Sequence, residues 1–182
     1  MNKMLMLLVF FLSLIHIDDA FGQKIMPKIE NPQIIVEKHK RILSLFDNKK
    51  LIKTYEISLG AMPIGDKEIE GDGKTPEGEF YIFTKNYKSA FFLSLGVSYP
   101  NKEDATRGLK QNLINQNEFD EIVNAIDLKE MPLQKTKLGG EIYIHGGGCE
   151  ADWTQGCIAL SNEDMQELFD IIELGTYINI KP

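Results

Sequence analysis

Short apolar runs separated by charged turns dominate the first third of the chain. Residues 33–59 read QIIVEKHKRILSLFDNKKLIKTYEISL, with charged turns at 38–40 and 47–49. The runs are rich in β-branched and aromatic residues, which favour extended structure. The pattern predicts a strand, a hairpin and a further strand.

The middle of the chain first loses its periodicity and then changes it. Residues 60–80 are dense in Gly, Pro and Asp, which predicts a loop. Strand patterns follow at 80–84 and 91–97. Over 102–127 the apolar residues recur at spacings of three and four, and this predicts one or two surface helices inserted between strands.

The last third returns to strand patterns. Residues 141–145 form a compact strand-like run that leads into three glycines, and 157–160 form a second one. A helix is predicted over 163–172, with Ser161 or Asn162 as its N-cap, and a final strand over 177–180. The predicted fold class is mainly β (α+β), a mostly antiparallel sheet with two helical excursions.

The N-terminus has the pattern of an export signal. Lys3 precedes an apolar run that is interrupted at Ser13 and His16 and ends in two aspartates. Because about 20 apolar residues are needed to cross a bilayer, a cleaved signal peptide over 1–22 is favoured over an uncleaved anchor. We expect a lead-in over 23–32, one domain over 33–182, no stable membrane span after processing, and a periplasmic or cell-envelope location.

Charge and cysteine content narrow the function. The chain has 20 basic and 27 acidic residues, a net charge of −7, so it lacks the basic surface of a nucleic-acid-binding protein. Its two cysteines are Cys149 and Cys157. An exported pair suggests a disulfide, but this one would close only a short Gly-rich loop and stabilise little.

Cys157 and His145 are the candidate catalytic pair. His145 ends one predicted strand and Cys157 begins the next, and antiparallel neighbours lie about 4.7–4.9 Å apart. An imidazole beside a thiol makes it a competent nucleophile without a cofactor or metal. His16 leaves with the signal peptide and His39 lies in a hairpin turn.

The residues around this pair suggest supporting roles. Gly156 is either a plain turn residue or a point where substrate approaches the backbone. Amides near Cys157 could bind the oxyanion of a tetrahedral intermediate. The imidazole also needs an orienting group, for which Asp152 and the carbonyl of Gly146 are both candidates.

Several strings together resemble the L,D-transpeptidase (YkuD) family. They are IYIHG, DWTQGCIALSNEDMQEL, GDGKTPEGEFYI, SLGVSYPN and the opening hairpin that ends in SLG, and they span most of residues 34–180. The family pattern is His-Gly followed, after a loop, by Ser or Thr, any residue, Gly, Cys and an apolar residue.

The resemblance implies a fold and a set of roles. The fold would be a β-sandwich or open barrel with the site at one end, a helical insertion, and a helix after the catalytic cysteine; residues 102–127 would cover the cleft or pack as ordinary surface helices. Cys157 would be acylated and His145 would be its base. The roles implied for the neighbouring residues are orientation of the imidazole by Gly146, with Asp152 as second choice, oxyanion binding by amides around Gln155, Gly156 and Cys157, and substrate binding by Thr154.

This chain departs from the family pattern at two positions near the nucleophile. Ala159 stands where many members have Arg or Asn, and Gln155 where His is common. These changes bear on substrate contacts more than on the chemistry.

The expected reaction is acyl transfer on L,D peptide bonds of peptidoglycan stem peptides, by crosslinking, D-amino-acid exchange or hydrolysis. One rival is a structural zinc site built from His145, Cys149, Asp152 and Cys157. Another is a wall-binding module without activity. In the catalytic interpretation Cys149 is a loop residue without a direct part, and its reversible pairing with Cys157 is a lesser hypothesis.

Overall fold

The computed structural model describes residues 29–182, and the predicted signal peptide over 1–22 and most of the lead-in over 23–32 lie outside them. Eight strands and three α-helices follow one another along this part of the chain. They are β1 Pro32–Glu37, β2 Ile42–Asp47, β3 Lys50–Glu56, β4 Gly78–Ser89, β5 Phe92–Val97, α1 Lys102–Lys110, α2 Gln116–Leu128, β6 Tyr143–His145, β7 Ile158–Ala159, α3 Asn162–Ile171 and β8 Tyr177–Lys181.

The strands form one sheet that curls back on itself. Their spatial order is β3-β2-β1-β8-β4-β5-β6-β7. Just after β3, Ser58 donates to and accepts from the backbone of Ala159 in β7, with both N–O distances at 2.9 Å. The segment after β3 thus bridges to β7 without a continuous ladder, and the sheet is an open, curled half-barrel. The predicted mainly β class is confirmed, with both the helical insertion and the helix after Cys157.

The antiparallel direction is wrong for the two predicted strands that carry His145 and Cys157. β1 pairs with β8 in parallel, and so does β6 with β7. The loop that joins β6 to β7 is long enough to carry the chain back to the end where β6 begins. The strand β7 can therefore run in the same direction as β6. The remaining pairings among the described strands are antiparallel.

A single apolar core fills the curled sheet. Alternation along β1 buries Ile34 and Val36, and β4 contributes Phe80 and Ile82 in the same way. Helix α3 covers this core with Met165, Leu168 and Phe169. Ser161 is its N-cap, because its hydroxyl accepts from the Asp164 amide at 3.1 Å.

The helical insertion has a small core of its own. Ala105, Ile114, Ile122 and Leu138 are buried together, apart from the core of the sheet. Asparagine capping boxes begin both α1 and α2. Among the described residues, no helix combines the length and apolarity that crossing a bilayer requires.

Candidate active site

His145 ends β6 and is 3% exposed. Its Nδ1 lies 2.6 Å from the carbonyl oxygen of Gly146. Because that oxygen can only accept, Nδ1 carries the proton and Nε2 keeps the lone pair a base needs. The ring of Phe91 stacks on the imidazole at 4.8 Å between centroids, and Trp153 packs against its edge at 5.6 Å.

Cys157 directly precedes β7 and is partly exposed. Its Sγ accepts from the Tyr143 amide at 3.4 Å and donates to the Glu141 carbonyl at 3.5 Å. In the parallel register Ile144 lies opposite Ile158, so Cys157 lies beside Tyr143. Alternation sends both isoleucines into the core and puts Cys157 and His145 on the opposite face as diagonal neighbours. The pair thus shares a face through parallel pairing, not through the predicted antiparallel one.

Burial acts on both groups of this pair. It raises the pKa of the Cys157 thiol, while the Tyr143 amide and the Lys67 ammonium act in the opposite direction. It lowers the pKa of His145, partly offset by the Gly146 carbonyl. Both shifts favour the uncharged forms, a thiol and a neutral imidazole.

Two threonine hydroxyls hold the backbone carbonyl of Cys157. Thr154 Oγ1 donates to it at 2.8 Å, and Thr75 Oγ1 does so at 3.4 Å. Thr154 Oγ1 also accepts the Gly156 amide at 3.1 Å, and the Thr154 amide donates to Leu59. Of the predicted oxyanion donors, the Gly156 amide therefore already has a hydrogen-bond acceptor within the loop. In residues 29–182 the amides of Gln155 and Cys157 have no protein acceptor, so both remain free to donate.

Gly156 is required by the packing behind Cys157. Its φ is +124°, and a Cβ there would come within 2.7 Å of the Lys74 carbonyl oxygen. A Cβ on Gly60 would lie 2.1 Å from the Gly73 carbonyl oxygen and 3.1 Å from the Gly156 Cα. The loop of residues 61–77, here named the strap, thus packs backbone to backbone against the loop between β6 and β7. This packing role is one that neither interpretation of Gly156 from the sequence had named.

Asp152 is engaged away from the imidazole. Its carboxylate accepts from the Arg41 guanidinium, at 2.6 Å from Nη2, and from the Leu59 amide at 2.8 Å. The bond from His145 goes to Gly146 instead. Between the two candidate orienting groups, the geometry therefore favours the Gly146 carbonyl.

The four candidate zinc ligands are divided between two cavities. His145 and Cys157 line one, and Cys149 and Asp152 line the other. Within residues 29–182, no three His, Cys, Asp or Glu side chains converge as a metal site would require. The geometry therefore gives the zinc hypothesis no support.

The cavity around His145 and Cys157 is a cleft of about 1030 Å³. Its walls come from the strap, the β4–β5 turn, the first turn of α2, the segment 134–142 and the segment 153–157. The insertion reaches this cleft through Glu118 of α2. Three lysines and three glutamates line it: Lys67, Lys135, Lys137, Glu70, Glu118 and Glu141.

Sequence reasoning missed three residues of this site. Thr75 and Lys67 lie in the Gly-rich strap, where the pattern indicated only a loop. Phe91 lies in a β-turn and has the pattern of a strand residue. The sequence did contain a signal for Thr75, because this residue lies within GDGKTPEGEFYI, one of the strings that carry the family resemblance. Trp153 is 41% exposed, and its Nε1 donates to the Gly148 carbonyl at 3.2 Å, so it is at least an anchor for the loop.

Comparison with known proteins places the chain in a family. Residues 31–180 match the family model for YkuD, the L,D-transpeptidase catalytic domain. YafK of Escherichia coli K12, which is named as an L,D-transpeptidase, is 23% identical over 146 residues, or 76% of this chain and 46% of that protein. The chain thus spans about half the length of the curated relatives it matches.

Solved structures share the fold. Pgp2, the helical cell shape determining protein of Campylobacter jejuni, superposes with a TM-score of 0.57 at 24% identity, over 84% of this chain and 48% of that one. Bd1075 of Bdellovibrio bacteriovorus gives 0.52 at 23% identity, over 84% and 48%. With the match over residues 31–180, the chain belongs to the YkuD family of L,D-transpeptidase catalytic domains.

Proposed function

We propose that the protein is an exported cysteine acyltransferase that acts on L,D peptide bonds of peptidoglycan stem peptides in the periplasm or cell envelope. One observation carries the proposal. Cys157 and His145 line the same cleft, and the Gly146 carbonyl holds the imidazole in the tautomer that leaves Nε2 free to accept a proton. Membership of the L,D-transpeptidase family supports the substrate class.

In the first half-reaction the Cys157 sulfur attacks the carbonyl carbon of the L-centre, such as that of the diamino acid at the third position of a tetrapeptide stem. His145 Nε2 takes the thiol proton as the C–S bond forms. The oxyanion then accepts from the Gln155 and Cys157 amides. When the C–N bond breaks, the imidazolium returns the proton to the departing amine, and D-alanine leaves a thioester on Cys157.

In the second half-reaction an acceptor attacks the thioester and restores the thiol. An amine acceptor gives a crosslink, an exchanged terminal D-amino acid or an attached protein. Water gives a trimmed or released peptide. How well the cleft excludes water during this step decides between the two outcomes.

Mass spectrometry of mature protein incubated with disaccharide-tetrapeptide muropeptides tests the proposal. We expect the wild type to release D-alanine and to form a joined, exchanged or hydrolysed product. Cys157→Ala should abolish all of these products, because no other thiol lies in the cleft among the described residues.

Cys149→Ala is the matched control, since Cys149 lines the other cavity and should leave turnover unchanged. Retained turnover in Cys157→Ala would contradict the mechanism. Unchanged muropeptides with the wild type would contradict the substrate class.

A further inference from the structure

Two buried lysines secure the strap, the loop of residues 61–77. Lys38 and Lys67 are each 2% exposed. Removing an ammonium group from water is costly unless acceptors replace the lost hydration. The hydrogen-bond acceptors around each ammonium group therefore indicate the role of that lysine.

Lys38 is fully satisfied within the protein. Its Nζ donates to the Gly65 carbonyl at 2.6 Å, the Thr75 carbonyl at 2.9 Å and the Glu77 carboxylate at 2.7 Å. Each of the three N–H groups of the ammonium thus has an acceptor. Lys38 is not among the residues that line the cleft, and its role is to hold the strap.

Lys67 has one donor to spare. Its Nζ donates to the Ile69 carbonyl and to Asp72 Oδ1, both at 2.9 Å, and lies 5.9 Å from the centre of the Tyr99 ring. No third acceptor is present among residues 29–182. Asp72 also accepts amides from Glu68, Ile69 and Lys74, so its negative charge is shared among several donors.

The spare donor belongs to a residue that lines the cleft beside the nucleophile. Lys67 and Cys157 line the same cavity, and the ammonium is close enough to lower the pKa of the thiol against the effect of burial. The Cβ position of Gly139, which also lines the cleft, lies 3.3 Å from Lys67 Cε. A residue with a positive charge and an unused N–H therefore lines the cleft that holds Cys157.

We propose that Lys67 binds the terminal carboxylate of the stem peptide, on the residue that leaves when Cys157 is acylated. This inference rests on the function proposed above, in which the scissile bond is the last one of a tetrapeptide. The terminal carboxylate is then one residue from the carbonyl that Cys157 attacks. A buried ammonium with one free N–H prefers an anionic oxygen to a neutral one, because charge-assisted hydrogen bonds are the stronger kind.

The consequence is selectivity for peptides that end at the leaving residue. A chain extended by a further residue, or capped as a carboxamide, presents no anion at this place and leaves the Lys67 donor unpaired. An enzyme built in this way removes or exchanges the terminal residue and does not cut within a longer peptide.

The experiment compares kcat/KM for a disaccharide-tetrapeptide with kcat/KM for the same peptide carrying a C-terminal carboxamide. We expect the wild type to prefer the free acid by roughly 10- to 100-fold, the range expected for one charge-assisted hydrogen bond. In Lys67→Met the ratio should fall to about one, with the loss confined to the acid. Because it is a ratio, general damage to the fold does not move it.

Lys38→Met is the matched control, since it removes the other buried lysine that secures the strap and should keep the preference for the acid. If Lys67→Met fails to fold, Lys67→Gln gives the same comparison, because its amide can still donate to Asp72. A preference that persists in these Lys67 variants, or a wild type that does not discriminate, would overturn the role of Lys67 and leave the acyltransfer proposal standing. A wild type that turns over neither peptide would overturn both.

Discussion

The environment of Cys157 and His145 favours an uncharged pair. Burial raises the pKa of the thiol and lowers that of the imidazole. A thiolate–imidazolium pair would need a strong nearby charge to offset the loss of hydration, and the Lys67 effect on the thiol is smaller than that of burial. We infer that proton transfer accompanies attack on the substrate and does not precede it.

The pH dependence follows from these directions. A lowered imidazole pKa keeps His145 unprotonated, and thus active as a base, to a pH below its usual 6.5. We expect the acidic limb of kcat/KM to have its midpoint below this value. Alkylation of Cys157 by iodoacetamide, measured in a Cys149→Ala background, should keep accelerating as the pH rises past the usual thiol value of 9.0.

A preformed ion pair gives the opposite result. Alkylation would then be fast and independent of pH near neutrality, as for thiols of depressed pKa. Such a plateau in the Cys149→Ala protein, lost in His145→Ala, would contradict the uncharged pair.

The loop between β6 and β7 is tied to the sheet by one carboxylate. Asp152 joins this loop to Arg41, which precedes β2, and to Leu59, which follows β3. The Arg41 side chain is 37% exposed, so solvent weakens the ion pair. Its main effect is to hold the loop that carries Trp153 and Thr154 over the cleft.

Asp152→Asn should therefore weaken the loop and leave the chemistry unchanged. We expect a loss of about 1 kcal/mol in the free energy of unfolding, measured in urea, and a higher KM. The midpoint of the acidic limb should stay in place, because the imidazole is bonded to Gly146. Had Asp152 oriented the ring, removing its charge would move that midpoint to lower pH.

Arg41→Met is the partner variant, because it breaks the same ion pair from the other side. The double variant should lose less stability than the sum of the single variants. Additive losses would show that the ion pair does not couple the loop to β2.

The described part of the chain contains two apolar cores of unequal size. The larger core lies within the curled sheet and under α3, and the smaller one lies among α1, α2 and Leu138. Each buries its own set of side chains, so the helical insertion can open without exposing the sheet core. Because Glu118 of α2 lines the cleft, such opening would also alter access to the site.

Ile122→Ala tests this separation. Ile122 is fully buried, and its truncation should cost about 2–4 kcal/mol. Amide hydrogen exchange should accelerate in α1 and α2, with little change in β1 and β5. Ile34→Ala, which truncates a fully buried isoleucine of the sheet core, is the control and should accelerate exchange in both regions. An equal acceleration in Ile122→Ala would show that the two cores unfold as one.

The sequence by itself determined the elements and the candidate pair. Short runs of β-branched and aromatic residues mark strands, as at 34–36, and the spacing within 102–127 marks helices, because both patterns follow from local backbone geometry. Ser161 was predictable as a cap for the same local reason. Cys157 and His145 were identifiable because few residue types can do this chemistry and the neighbouring strings resemble one family.

Only the tertiary structure decided how these residues meet. Strand direction in β6 and β7 depends on the path of a long loop, which no local periodicity encodes, so the antiparallel prediction failed. The contacts of Gly156 with Lys74, and of Thr75 with Cys157, join segments about 80 residues apart. The spare donor of Lys67 is likewise a property of its surroundings, because burial and partners are set by distant parts of the chain.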